Sequence, residues 1–190
     1  MKIRFFLSAL IALSSLMLIG CEPATNIHSG YAKSISIPPQ TNLSTPSKEV
    51  PVDYVVLQKN DHILSLWKQG RLVKTYPVMA LGANPIGQKV YEGDERTPEG
   101  HYFIEEKHPS QNFQKFLKIS YPNEKDRELA KRFNMPPGGS VGIHGDRGGM
   151  AGFWQRFKKD WTDGCVAMRN ADIEEIYEMV AVGTPILIKP

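Results

Sequence analysis

Three apolar runs between Tyr54 and Met79, separated by tight polar turns, constrain this chain more than any other stretch. Tyr54-Val55-Val56-Leu57 is β-branched and aromatic. His62 to Trp67 carries Ile63, Leu64, Leu66 and Trp67, and Leu72 to Met79 follows. Asn60-Asp61 and Gln69-Gly70 stand between the runs as turn chemistry. Segments this short, joined by so few residues, fold back on one another as strands, and the pattern predicts a meander of hairpins. His62 reads as a strand-end surface residue rather than a ligand.

Strand character returns at His101-Tyr102-Phe103-Ile104, at Phe116 to Tyr121, at Val141-Gly142-Ile143 and at Thr184 to Ile188. Two helices are predicted. Asn123 caps one that runs to Phe133, with Leu129 and Phe133 on a shared face. In the other, Asp172 and Glu175 have capping-box spacing and Ile173, Ile176, Tyr177 and Val180 form one buried stripe, with Gly183 as the stop. The fold class expected is mostly β, an α+β arrangement with a late helix. Between Gly82 and Gly100 lies a long Gly-, Asn- and Pro-containing loop of the kind that often borders a binding surface. No phosphate loop or dinucleotide-binding glycine pattern is present.

The N-terminus reads as an address. Lys2 and Arg4 precede an apolar run from Phe5 to Ile19, short for a transmembrane helix, which ends in Leu18-Ile19-Gly20-Cys21. That ending resembles the bacterial lipobox, which implies that residues 1–21 are a lipoprotein signal peptide and that Cys21 becomes the acylated first residue. The resemblance implies an exported protein, lipid-anchored on the periplasmic side of the envelope. Glu22 in place of Asp leans the sorting towards the outer membrane in a Gram-negative host. Residues 22–50, rich in Ser, Thr, Pro and Asn, read as a solvated linker, leaving 51–190 as one domain. Without Lys2 and Arg4 the formal charge of +3 drops to about +1, which excludes the clustered basic face of a nucleic-acid binder.

With Cys21 consumed, Cys165 is the sole thiol, and it cannot form an internal disulfide. His144 lies upstream of it at the end of a predicted buried strand. A thiol reacts as the thiolate, and an imidazole can take its proton and return it to a leaving amine. Gly164 permits a tight turn whose backbone N–H groups face an oxyanion. From these residues alone, a buried small Cys165 and a satisfied core His144 fit equally. Gly145, Trp161, Asp163 and Arg169 flank the pair and are candidate substrate contacts. Trp161 ends a run from Phe153 that mixes aromatics with Arg156, Lys158 and Lys159, suited either to stacking on sugars or to ordinary packing. Asp146 and Arg147 follow the base and either hold its ring or each other. No HxxxH or CxxC spacing supports a metal site, and no cofactor is expected.

Ile143-His144-Gly145 followed by Thr162-Asp163-Gly164-Cys165-Val166 resembles the signature of the L,D-transpeptidase (YkuD-domain) family: His, a spacer, then Ser/Thr-x-Gly-Cys-Ile/Val. Tyr76 to Gly82, Thr97-Pro98-Glu99-Gly100-His101-Tyr102, Asn170-x-Asp172 and Gly183-Thr184-Pro185-Ile186 also match its ordered segments. The resemblance implies a β-sandwich with the C-terminal helix beside a cysteine cleft. It implies peptidoglycan tetrapeptide stems as substrate, Cys165 as nucleophile, His144 as base, and Gly164 with the Cys165 N–H at the oxyanion turn. Thr162 is expected to brace that turn. The acceptor would be a stem amine, a wall-linked lipoprotein or water, so an L,D-carboxypeptidase or hydrolase stands as the alternative. Two positions depart from the common pattern: Asp163 where His is frequent, and Ala167 where Arg is frequent.

Overall fold

The computed structural model describes residues 52–155 and 157–190. The expected signal peptide with Cys21, the expected linker and Arg156 lie outside the described residues. Three strands, β1 (Tyr54–Gln58), β2 (Ile63–Lys68) and β3 (Arg71–Pro77), form the expected meander. Gln69 and Gly70, with φ of 50° and 72°, make the two-residue turn from β2 to β3, the primed geometry whose twist matches that of paired strands. Val55, Leu57, Leu64, Leu66 and Tyr76 bury the inner face.

β4 (Gly100–Ser110) runs well past the expected end at Ile104. Its second half, Glu105 to Ser110, is polar and largely exposed, so no apolar alternation marks it. Pairing with β5 (Gln114–Ile119) and the Lys118–Glu105 ion pair hold it instead. The two halves of β4 serve different partners. Gly100 to Phe103 pairs with β8 (Pro185–Lys189), and Ile104 to Ser110 pairs with β5. β8, the last strand in sequence, lies inside the sheet, parallel to β1 and antiparallel to β4.

The full strand order is β3-β2-β1-β8-β4-β5-β6-β7, with β6 (Gly142–His144) and β7 (Val166–Ala167) last. The chain beyond β3 then bridges back to that far end: Ala80 pairs with Ala167 and Gly82 with Thr162. The mostly β, α+β expectation is therefore met, in a sheet whose two ends are joined by backbone hydrogen bonds.

The helices differ from expectation in detail. In α1 (Glu124–Arg132), Asn123 caps as predicted, accepting from Asp126 N, while the Asp126 carboxylate accepts from Asn123 N. The face turned inward is Asp126 and Ala130, however, and Phe133 is 57% exposed. Asp126 turns inward because the Tyr102 hydroxyl and Gln88 amide donate to it. A short helix, α2 (Gly149–Gln155), occupies part of the aromatic and basic run. In α3 (Asn170–Met179) the cap is Arg169 and makes no side-chain capping bond, so Asp172 sits inside the first turn rather than at the cap. Asp172 is instead gripped by the Arg169 guanidinium. Gly183 lies beyond the end of α3. The carbonyls of Tyr177 and Val180 accept from the Lys107 ammonium, which closes the helix end from β4. Ile173 and Ile176 of α3 are fully buried in the core, as their spacing predicted, and the helix packs on β5.

Candidate active site

β6 and β7 run parallel and adjacent, with Ile143 opposite Val166 and His144 opposite Ala167. Cys165 immediately precedes β7, so the pairing brings the His-bearing strand end and the Cys-bearing turn to one place. Met168 N donates to His144 O at 2.8 Å and secures the junction. Gly142 lets β6 lie this close to β5. A Cβ there would sit 2.6 Å from both Leu117 O and the Phe116 ring.

His144 and Cys165 line a cavity of about 510 Å³, with Phe113, Phe116, Trp161 and Lys89 among the other walls. His144 is 2% exposed and surrounded by aromatic rings, those of Phe113 at 4.2 Å, Phe116 at 6.0 Å and Trp161 at 6.3 Å between centroids. Its Nδ1 lies 2.6 Å from Gly145 O. A carbonyl only accepts, so this contact assigns the proton to Nδ1 and leaves Nε2 as the basic nitrogen of the neutral ring. Burial lowers the imidazole pKa, against the pull of Gly145 O and Asp146. Burial likewise raises the Cys165 thiol, which Asp163 reinforces, while the Gly142 N–H and Lys89 work the other way. Both shifts favour the uncharged forms.

The turn carrying Cys165 is tightly specified. Gly164 has φ +131°, and a Cβ on it would come within 2.7 Å of Arg96 O, so both conformation and space require glycine. The Thr162 hydroxyl donates to Cys165 O at 2.7 Å and accepts from Gly164 N at 3.1 Å, the brace expected of it. Gly164 N–H is thereby taken. Thr162 itself is locked by backbone bonds to Leu81 and Ala83. Cys165 Sγ lies 3.7 Å from Ser140 O, at a residue with φ +54°.

The flanking residues divide. Trp161 and Asp163 line the cavity. Gly145 does not: it is buried, donates to Phe113 O, and a Cβ would meet Asn170 Oδ1 and Phe113 O at 2.6 Å. Arg169 is also elsewhere, its side chain 60% exposed and forked onto Asp172 at 2.7 and 3.1 Å. Neither Gly145 nor Arg169 lines the cavity with Trp161 and Asp163. Ala167 is fully buried, with Met79 N donating to its O and its own N donating to Ala80 O, so no long side chain fits there. Of the two residues after Gly145, Asp146 is buried near the ring, and Arg147 lines the cavity. His62, read as a surface residue, is half-buried and paired with Asp160 at 2.9 Å. Asp160 also accepts from Leu81 N and so ties β2 to the segment before Thr162.

The Gly82–Gly100 loop does reach the cavity, through Lys89, Glu92 and Gly93. Residue-level reading singled out none of these. The signal available was a lysine and an aspartate, Lys89 and Asp94, within a loop otherwise rich in turn formers. Among the described residues no group of three or more His, Cys, Asp or Glu side chains is placed to hold a metal ion.

Comparison with known proteins agrees with this geometry. The chain is 27% identical over 133 residues to YafK of Escherichia coli (strain K12), whose name assigns it to the L,D-transpeptidases. The match covers 67% of this chain and 46% of that protein, so the chain spans under half the length of the curated relative. Among solved structures, the helical cell shape determining protein Pgp2 from Campylobacter jejuni superposes with a TM-score of 0.57 at 24% identity, over 74% of this chain and 48% of that one. Bd1075 from Bdellovibrio bacteriovorus gives 0.52 at 23% identity, over 76% and 50%. These two show a shared fold. Residues 52–188 match the model of the L,D-transpeptidase catalytic domain, YkuD, and the chain belongs to that family.

Proposed function

We propose that this chain is a peptidoglycan L,D-transpeptidase that forms an acyl-enzyme on Cys165. The observation that carries the reading is the parallel β6–β7 pairing, which sets His144, its Nδ1 bonded to Gly145 O, and Cys165 on one cavity beside a glycine-dependent turn. His144 Nε2 takes the thiol proton as Sγ attacks the carbonyl carbon of the third residue of a tetrapeptide stem. The C–N bond to the terminal D-alanine breaks, and its amine leaves with the proton from His144. The Cys165 N–H, which the described residues leave without an acceptor while Gly164 N–H serves Thr162, is the donor for the oxyanion. An acceptor amine then attacks the thioester, its proton passes to His144, and the C–S bond breaks to restore the thiol.

The acceptor is a stem amine in this reading, with a wall-linked lipoprotein amine as a related case. Lipidation at Cys21 would hold the domain at the envelope, with residues 22–50 giving reach to the wall. The test is the muropeptide profile of cells expressing the wild-type chain or Cys165→Ala. New 3–3 cross-links that vanish with the substitution are expected. Tripeptides without new cross-links would assign the acyl-enzyme to water, and an unchanged profile would overturn the reading.

A further inference from the structure

Among the described residues Lys89 is the one cavity-lining cation that is buried, its side chain 4% exposed. An ammonium has three protons to donate. Two are placed: Nζ donates to Asp94 Oδ1 at 2.7 Å and to Tyr91 O at 3.1 Å. Among the described residues the third has no protein acceptor. Nζ sits beside the Gly164 turn, 3.8 Å from where a Cβ would stand on that residue.

Asp94 does not depend on Lys89 alone. Its carboxylate also accepts from the N–H groups of Val90, Tyr91 and Arg96. Burial pushes Asp94 up, but the Lys89 hydrogen bond and these amides outweigh it and hold the carboxyl below its ordinary value. With the carboxylate shared among four donors, the positive charge of Lys89 is only partly cancelled at the turn. The other charged groups around the nucleophile are Asp163 on the turn, His144 on β6, and Glu92 and Arg147 on the cavity wall.

We propose that Lys89 is a positioning residue for the nucleophile: its ammonium, held by Asp94 and Tyr91 O beside the Gly164–Cys165 turn, favours negative charge on Cys165 Sγ and on an acyl oxygen bound there. The direction of the thiol's electrostatics agrees, since Lys89 is the cation that opposes the upward push of burial and Asp163. An opposite charge close to a titrating group favours its charged form. The inference rests on Cys165 as the nucleophile proposed above, but it concerns the thiol and not the acceptor.

The experiment is alkylation of Cys165 by iodoacetamide across pH in the full chain, followed on the Cys165 peptide by mass spectrometry so that Cys21 does not interfere. Lys89→Met is expected to raise the alkylation midpoint by about one pH unit, and Asp94→Asn to lower it. The double variant Lys89→Met/Asp94→Asn, which exchanges an ion pair for two neutral groups, is expected between Lys89→Met and wild type. It carries the test if a single variant does not fold. A loop brace without electrostatic reach would leave the midpoint unmoved or shift it the same way in both single variants. Either result, or a double variant equal to wild type, overturns the proposal. Because alkylation needs no peptidoglycan, failure here leaves the cross-linking result intact.

Discussion

Lys59 and Lys89 are both buried lysines tied to the same long loop, yet they end in different environments. Lys59 has a side chain 1% exposed and spends all three ammonium protons inside the protein, on Gly87 O at 2.7 Å, Thr97 O at 3.0 Å and Glu99 Oε1 at 2.8 Å. It draws the two ends of the loop onto β1. Lys89 lines the cavity and spends two, with no acceptor for the third among the described residues. A cation saturated by close acceptors acts as a structural clamp, because its field ends on them. A cation with a proton in reserve at a reactive turn still acts on whatever charge forms there. Burial alone therefore does not separate a structural lysine from a functional one; the donor count does.

Substitution at each lysine should separate the two roles. Lys59→Met should give the largest loss of stability, about 3 kcal/mol, because two carbonyls and the Glu99 carboxylate lose their donor. Chemical denaturation would measure it, and the Cys165 alkylation midpoint should not move in the protein that remains folded. A shifted midpoint would erase the contrast with Lys89.

Gly164→Ala should come next, at about 2 kcal/mol, since it adds a Cβ against Arg96 O and forces an unfavourable φ. Here the loss should appear in function as well as stability, because the turn moves away from both Lys89 and the oxyanion position. Cross-link formation should fall by more than the folded fraction does. Equal losses would mean that the turn is only structural.

The smallest effect is acid sensitivity on the Lys89 side. Asp94 titrates below its ordinary value of 3.8 in the folded chain, so its stabilising contribution is present above that pH. It is lost as pH falls further, through the depressed folded value. Thermal midpoints of wild type and Asp94→Asn should differ at neutral pH and converge in acid. Parallel curves would show that Lys89 and Asp94 are not coupled as the geometry requires.

Different parts of the molecule were legible to different degrees. The β1–β3 meander could be read because alternation and turn residues are local, and both act within a few positions. The polar half of β4 could not, since its residues are held by β5 and by Lys118, neither of which shows in its own pattern. The Asp172–Glu175 spacing suggested a capping box, but Arg169 competed for Asp172 and the helix began earlier. At the site, His144, Cys165 and the Gly164 turn were marked by residue type and order. Gly145 and Arg169 are near the pair in sequence, but Gly145 is bonded to Phe113 O, Arg169 is forked onto Asp172, and neither lines the cavity.

By itself the sequence determined which residues can do chemistry here and which segments are strands. A thiol, an imidazole and a glycine keep their reactivity or conformational freedom wherever they are placed, and strand periodicity is a property of neighbours in the chain. Only the tertiary structure decided that β8 lies between β1 and β4, that the chain beyond β3 returns to β7, and that Lys89 lines the cavity with Cys165 while Lys59 does not. Those outcomes depend on which distant backbone groups and charges find one another once the core closes, and no local pattern encodes that choice.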